Sequence, residues 1–310
     1  MTPAAPLSPT DVLSQVAQAL PRACRRDVIV IGSLAAGYYF FADDGDKAIR
    51  TKDVDCMFSP HAKAVVTATR VTEALLSANW KQREDGAWSR PGTADTAMHN
   101  LPLVRLKPPK GSEWFIELLG APGDWTRDAP AKEFRRVTTS AGDFAICSFR
   151  FLGVTEHQPV ATKLGIRIAR PSMMALANML HHTAIAPETI HGTRWKRANK
   201  DLGRVVALAY LTVARDRRTG GTELESWPTT MWAALRSRFA TQAAALAESA
   251  GDGVRGLLAS PEDLDQSLEI ANLGLLASLD VDRAAFAATG RRLVDEVIEP
   301  LAALARVRSR

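Results

Sequence analysis

The chain has 310 residues, 46% of them hydrophobic and 24% charged. That is enough apolar material for a core without disulfides or metals, and it excludes a disordered, collagen-like or coiled-coil chain. Its 39 basic and 34 acidic residues leave a formal charge of +5, which permits a nucleic-acid partner without arguing for one. Cys24, Cys56 and Cys147 are scattered and odd in number, which excludes a disulfide scaffold, argues against structural zinc and points to a reducing, cytoplasmic location.

At about 150 residues per domain the length predicts two domains. The first helix is expected from residue 10 or 11, capped by Thr10 or Asp11, with Val12, Val16 and Leu20 on one face and Pro21 as its stop. The β-branched run 27–32 (DVIVIG) reads as a buried strand, and Ser33 is placed to cap a helix through Phe41. The apolar stretch 28–42 falls short of the roughly 18 residues that span a bilayer and begins well inside the chain, so no membrane role is expected. A DDGD turn (43–46) leads to a second strand at 51–58, and 61–79 has helical period with Ala64, Val65, Ala68, Val71 and Leu75 on one face.

A hairpin is expected from LPLVRLK through PPKGS to EWFIELLG (113–120), and a further strand at 141–149. After about residue 160 the texture turns Ala- and Leu-rich. Helices are expected at 173–182, 196–211, near 228–250, 262–278 and 281–306. The division is therefore an α/β domain over 1–160 and a helical domain over 161–310.

Chemistry concentrates in Gly32-Ser33, Thr51-Lys52-Asp53-Val54-Asp55 and Glu117. Residues i and i+2 of a strand share a face, so Asp53 and Asp55 project side by side. Two such carboxylates about 4 Å apart repel by roughly 4 kcal/mol at an effective dielectric near 20. A divalent cation removes that cost, and Mg²⁺ takes one or two carboxylates together with substrate phosphates. Glu117, within FIEL on a predicted strand, offers a third carboxylate for a two-metal site. Glu113 lies on the same face of that strand and competes for the part, with Asp143 and Glu156 as remoter candidates. Gly32-Ser33 opens a helix, where free N–H groups, the helix dipole and a hydroxyl can hold a phosphate.

This arrangement resembles the nucleotidyltransferase superfamily related to DNA polymerase β: an apolar strand with Gly-Ser opening a helix (31–33), Asp-x-Asp on the next strand (53–55), and a later acid (115–118). Thr51 just before the Asp-x-Asp, and the stretch RWKRANKDLGRVVAL (194–208), are similar to the abortive-infection toxin-like members. The resemblance implies an α+β fold, with a mixed sheet and flanking helices followed by an α-helical C-terminal domain. It further implies Mg²⁺ on Asp53, Asp55 and Glu117, and an NTP held by Gly32 and Ser33, with Lys196 or Lys200 of the basic stretch meeting the triphosphate or the acceptor. The acceptor it implies is RNA, often tRNA, with an antitoxin protein as a further partner. Alternatives are a small-molecule (antibiotic-type) acceptor, or a non-catalytic binding module of the same fold.

Simpler readings stand beside these. Arg197, Asp201 and Arg204 are spaced for ion pairs on a solvated helix face, with Ala198, Leu202, Val205, Val206 and Ala209 packing inward. His181-His182 suits a helix C-terminus. Trp80, Trp88, Trp114 and Trp195 read as core or rim residues.

Overall fold

The computed structural model describes the chain except residues 1–4, 45–46, 84–89, 110–111, 124–129, 186–187, 191, 194 and 309–310. Trp88, Arg194, the second half of the 43–46 turn and part of the PPKGS turn lie outside the described residues. The rest forms two compact units, Ala4–Tyr38 with Thr51–Ala169, and Tyr39–Arg50 with Arg170–Arg310. The architecture is mixed α/β, with a mixed sheet and a helical C-terminal region.

In the first unit, helix α1 (Pro9–Ala19) is capped by Ser8, whose hydroxyl accepts from the Asp11 amide at 3.2 Å. The cap thus falls two residues before Thr10, because Pro9 occupies the first helical position, where its missing N–H costs nothing. The apolar run becomes strand β1 (Val28–Ile31), buried throughout, followed by helix α2 (Gly32–Phe41). Strand β2 (Asp53–Phe58) carries the Asp-x-Asp, and helix α3 (His61–Ser77) follows. Then come β3 (Lys81–Gln82), β4 (Arg105–Lys107), β5 (Phe115–Gly120), β6 (Lys132–Thr139), β7 (Gly142–Phe149), β8 (Val160–Ala161) and β9 (Arg167–Ile168).

The sheet runs β8-β9-β1-β2-β5-β4-β3, with β7 paired to β5 and β6 to β7. β1 and β2 are antiparallel, β2 and β5 parallel, and β5 and β4 antiparallel. β5 changes neighbour along its length: Ile116 and Glu117 face β4, whereas Leu119 faces Cys147 of β7. Strand β6 escaped the sequence reading because KEFRRVTT lacks an apolar alternation; it is held by an eight-residue register against β7.

The even-numbered face of β2 (Val54, Cys56, Phe58) is fully buried. Helix α3 covers that side, its Ala64 Cβ 3.8 Å from where a Cβ on Gly120 would stand. The odd-numbered face carries the acids and is only partly covered: the Thr155 hydroxyl donates to Met57 Sδ at 3.7 Å, while Asp53 and Asp55 remain half-buried.

The second unit is built on α4 (Pro171–Ile185) and α5 (Arg197–Thr219), with further helices Glu223–Arg238, Ala243–Ser249, Asp252–Ala259, Pro261–Leu273, Arg283–Leu293 and Glu299–Arg308. α5 ends at Gly220, whose φ of 68° suits a residue without a Cβ. Ala198, Leu202, Val205, Val206 and Ala209 of α5 are buried, as their spacing requires. Asp201 is not on a solvated face. It is buried and accepts from His181 Nδ1 at 3.1 Å, so His181 serves a helix–helix contact rather than a helix terminus. His182 is buried too, donating from Nδ1 to the Met179 carbonyl. Trp80 and Trp114 are core residues in edge-to-face contact at 5.8 Å. No helix among the described residues is long and apolar enough to cross a membrane.

Candidate active site

The strand registers assemble one row of side chains across four strands. Ile31 of β1 lies opposite Asp55 of β2, Asp55 opposite Glu117 of β5, and Glu117 opposite Arg105 of β4. Asp53 is one pleat along, opposite Phe115. Asp53, Asp55 and Glu117 therefore share the odd-numbered face that α3 leaves open. Glu113 precedes β5 and is exposed, so it has no place in the ladder. The expectation that the strand begins at 113 fails because pairing with β2 starts at Phe115, whose amide donates to the Lys52 carbonyl at 2.9 Å.

Each acid has a fixed neighbour. The Thr51 hydroxyl donates to Asp53 Oδ1 at 2.6 Å, tying that carboxylate to the residue two before the strand. Asp55 lies against the turn from β1 into α2. Gly32 has φ +75°, and a Cβ there would stand 2.6 Å from Asp55 Oδ2. Both the backbone conformation and the close approach demand glycine. The start of α2 is thereby brought against a carboxylate, the sign of charge that a helix N-terminus favours. Ser33, half-buried, lies within the first turn of α2 rather than ahead of it.

Glu117 receives an N–H from Arg105 Nε at 2.7 Å; the Glu117 side chain is 13% exposed and that of Arg105 34%. Arg105 is held through its backbone on the other side: its carbonyl accepts from the Arg83 amide at 2.7 Å. The Arg83 guanidinium lies over the Phe115 ring at 4.3 Å. Arg105 and Arg83 were invisible to the sequence reading. The signal was the Arg in LPLVRLK, but its meaning depends on a hairpin register that sequence spacing does not determine.

The remoter acids are engaged elsewhere. Asp143 pairs with Arg136, and the Thr138 hydroxyl, the larger influence, together with Arg136 holds its carboxyl below the usual range. Glu156 accepts from the Ser59 hydroxyl at 2.5 Å. Burial pushes the Cys56 thiol up, with Asp55 adding to it; burial, then Glu117, pushes Cys147 up to about 11. Neither thiol ionises near neutrality, which removes both as nucleophiles.

The donor set at Asp53 and Asp55 suits a hard divalent cation such as Mg²⁺, which accepts two carboxylates and leaves its other positions to water and phosphate oxygens. Among the described residues no group of three His, Cys, Asp or Glu side chains is arranged to hold a metal ion.

Lys196 and Lys200 belong to the second unit. Lys196 immediately precedes α5 and donates to Asp263 Oδ1 at 2.7 Å, an acid that raises the lysine's pKa. Arg197 donates to Glu188 Oε2 at 2.6 Å. Lys200 is exposed on the first turn of α5. Comparison with protein-family models, curated proteins and solved structures finds no match for this chain.

Proposed function

We propose that this protein is a Mg²⁺-dependent nucleotidyltransferase of the DNA polymerase β-like fold, moving a nucleoside monophosphate from an NTP to an acceptor hydroxyl. The observation that carries the reading is the pair Asp53 and Asp55 on the open face of β2, with the first turn of α2 against Asp55. Such chemistry is mostly positioning and neutralisation of charge.

In this reading Asp53, steadied by Thr51, and Asp55, seated against Gly32, hold the cation. Bound there, the cation supplies charge neutralisation to the phosphate oxygens. The first-turn N–H groups of α2 and the Ser33 hydroxyl take the β- and γ-phosphates. The acceptor oxygen forms its bond to the α-phosphorus, the bond from that phosphorus to the bridging oxygen breaks, and pyrophosphate leaves. Glu117, beside Asp55, takes the hydroxyl proton.

The resemblance favours RNA, tRNA in particular, as acceptor in a toxin-like role with an antitoxin partner. A small-molecule acceptor is the second reading, and a specific observation favours it: Lys196 and Arg197, cations of the basic stretch that would meet an RNA backbone, are already paired with Asp263 and Glu188. Incubation of the protein and Mg²⁺ with each labelled NTP and total cell RNA separates the readings. Label in RNA, lost in Asp53→Asn and Asp55→Asn, is the expected result. Label that appears only when small hydroxylated molecules are supplied selects the second reading. Absence of Mg²⁺-dependent NTP binding by calorimetry overturns both in favour of a non-catalytic module.

A further inference from the structure

We infer that Arg105 is a positioning residue that keeps Glu117 out of the cation site, so that the resting site binds one divalent cation on Asp53 and Asp55 alone. The inference rests on the nucleotidyltransferase reading and deepens it, because it states when the third acid takes part. The register sets Glu117 between two competitors on one face: Asp55 on β2 and Arg105 on β4. The bond it makes is the one to Arg105, Nε to Oε2 at 2.7 Å.

With Oε2 held by the guanidinium, Glu117 offers a cation only Oε1 and as a weakened donor, so full ligation beside Asp55 means exchanging the guanidinium partner. Arg105 is itself anchored. Gln82 Oε1 accepts from its amide at 3.4 Å, Gln82 Nε2 donates to the Leu103 carbonyl at 2.9 Å, and the Arg83 amide donates to the Arg105 carbonyl. The guanidinium is thus presented from a hydrogen-bonded strand rather than from a loop. Charge-assisted hydrogen bonds to a sheltered carboxylate are the stronger kind. The exchange therefore needs something that compensates Arg105, and an anionic phosphate oxygen arriving next to the acids has the right charge. Glu117 is then released as the substrate enters, and becomes available to take the acceptor's proton.

The test is Mn²⁺ binding to the full chain without nucleotide, read by calorimetry and by the electron paramagnetic resonance of free Mn²⁺. Wild type is expected to bind one Mn²⁺. Arg105→Gln is expected to gain a second Mn²⁺ or to bind the first about tenfold more tightly, the size set by a lost charged hydrogen bond. Arg105→Lys is expected to stay near wild type. The decisive arm is the double variant Arg105→Gln/Glu117→Gln, which should show no gain over Glu117→Gln alone. If the gain survives without Glu117, Arg105 acts only by its general field and the inference fails. It fails equally if Arg105→Gln binds Mn²⁺ as wild type does, provided both melt at similar temperatures. Should Arg105→Gln not fold, the comparison of Glu117→Gln with wild type decides: unchanged resting stoichiometry and affinity agree with the inference, and a lost Mn²⁺ overturns it. Wild type that binds no Mn²⁺ overturns the metal site of the proposed function and this inference with it, an outcome distinct from the others.

Discussion

Two stretches of this chain advertise charge: the acids at 53, 55 and 117 and the cations from Lys196 onward. They fare differently in the folded protein. The acids lie on two neighbouring pleats of one open sheet face, and contacts with Thr51, Gly32 and Arg105 hold their positions. Two of the cations are engaged by local acids: Lys196 by Asp263 and Arg197 by Glu188. A strand dictates where i and i+2 point, and register then aligns a neighbour. A helix leaves its long side chains free to find the nearest opposite charge. Like charges kept together against their repulsion are therefore the better sign of function.

The sharpest way to break that contrast is to neutralise the acids. Asp53→Asn or Asp55→Asn is expected to reduce nucleotidyl transfer by at least about a hundredfold, since even outer partners of metal ligands cost up to that much. The fold should persist, as shown by an unchanged far-ultraviolet circular dichroism spectrum. Near-normal turnover in either variant ends the assignment. Gly32→Ala comes next: with φ +75° and a Cβ 2.6 Å from Asp55 Oδ2, it should lose about 1–3 kcal/mol in urea unfolding. Transfer should drop with it, because Asp55 has to move.

Thr51→Val tests whether orientation matters beyond presence. Losing the 2.6 Å bond to Asp53 should cost about 1 kcal/mol of stability and lower turnover about tenfold. The structural ion pairs of the two units give a further contrast. The Asp143 carboxyl is held down by Thr138 and Arg136, so its stabilising contribution is complete above the ordinary carboxylate pKa of about 4 and is lost as pH falls through the folded value. Urea titrations should show wild type more stable than Asp143→Asn at pH 6, with the margin closing below about pH 4. The smallest effect is expected at Lys196→Ala. Its pair with Asp263 is surface-exposed, worth less than about 1 kcal/mol, and NTP affinity by calorimetry should stay as it was. A collapse of NTP affinity would place Lys196 in the triphosphate site.

The sequence disclosed the local parts of this site well. Alternation in TKDVDCMF gives the strand and the shared face of Asp53 and Asp55, and the β-branched run ending at Gly32 gives the strand-to-helix turn. It said less about what crosses between strands. Whether Glu113 or Glu117 meets Asp55 depends on where β5 begins, and that is decided by pairing with β2 rather than by apolar period. Arg105 could not be attached to Glu117 for the same reason. Strand β6 was missed because its partner, not its own pattern, makes it a strand. In the helical unit the inward faces were legible from period, yet the partners of the charges were not, since Glu188 and Asp263 lie outside the period of α5. His181 likewise found Asp201 across a helix pair, a contact that spacing along one helix does not reveal.

The change of neighbour along β5 bears on how the molecule breathes. Glu117 is flanked by the three-residue β4, with the two-residue edge strand β3 beyond it, whereas two residues later the same strand passes beside the long β6–β7 ribbon. Sub-global openings follow the weakest ladder. The β3–β4 edge therefore frays first, exposing the amides of Leu106 and Ile116 to solvent exchange while Val54 and Cys56 stay protected. Because Arg105 rides on that edge, the lifetime of its hold on Glu117 is tied to an excursion of one short ribbon and not to unfolding of the sheet.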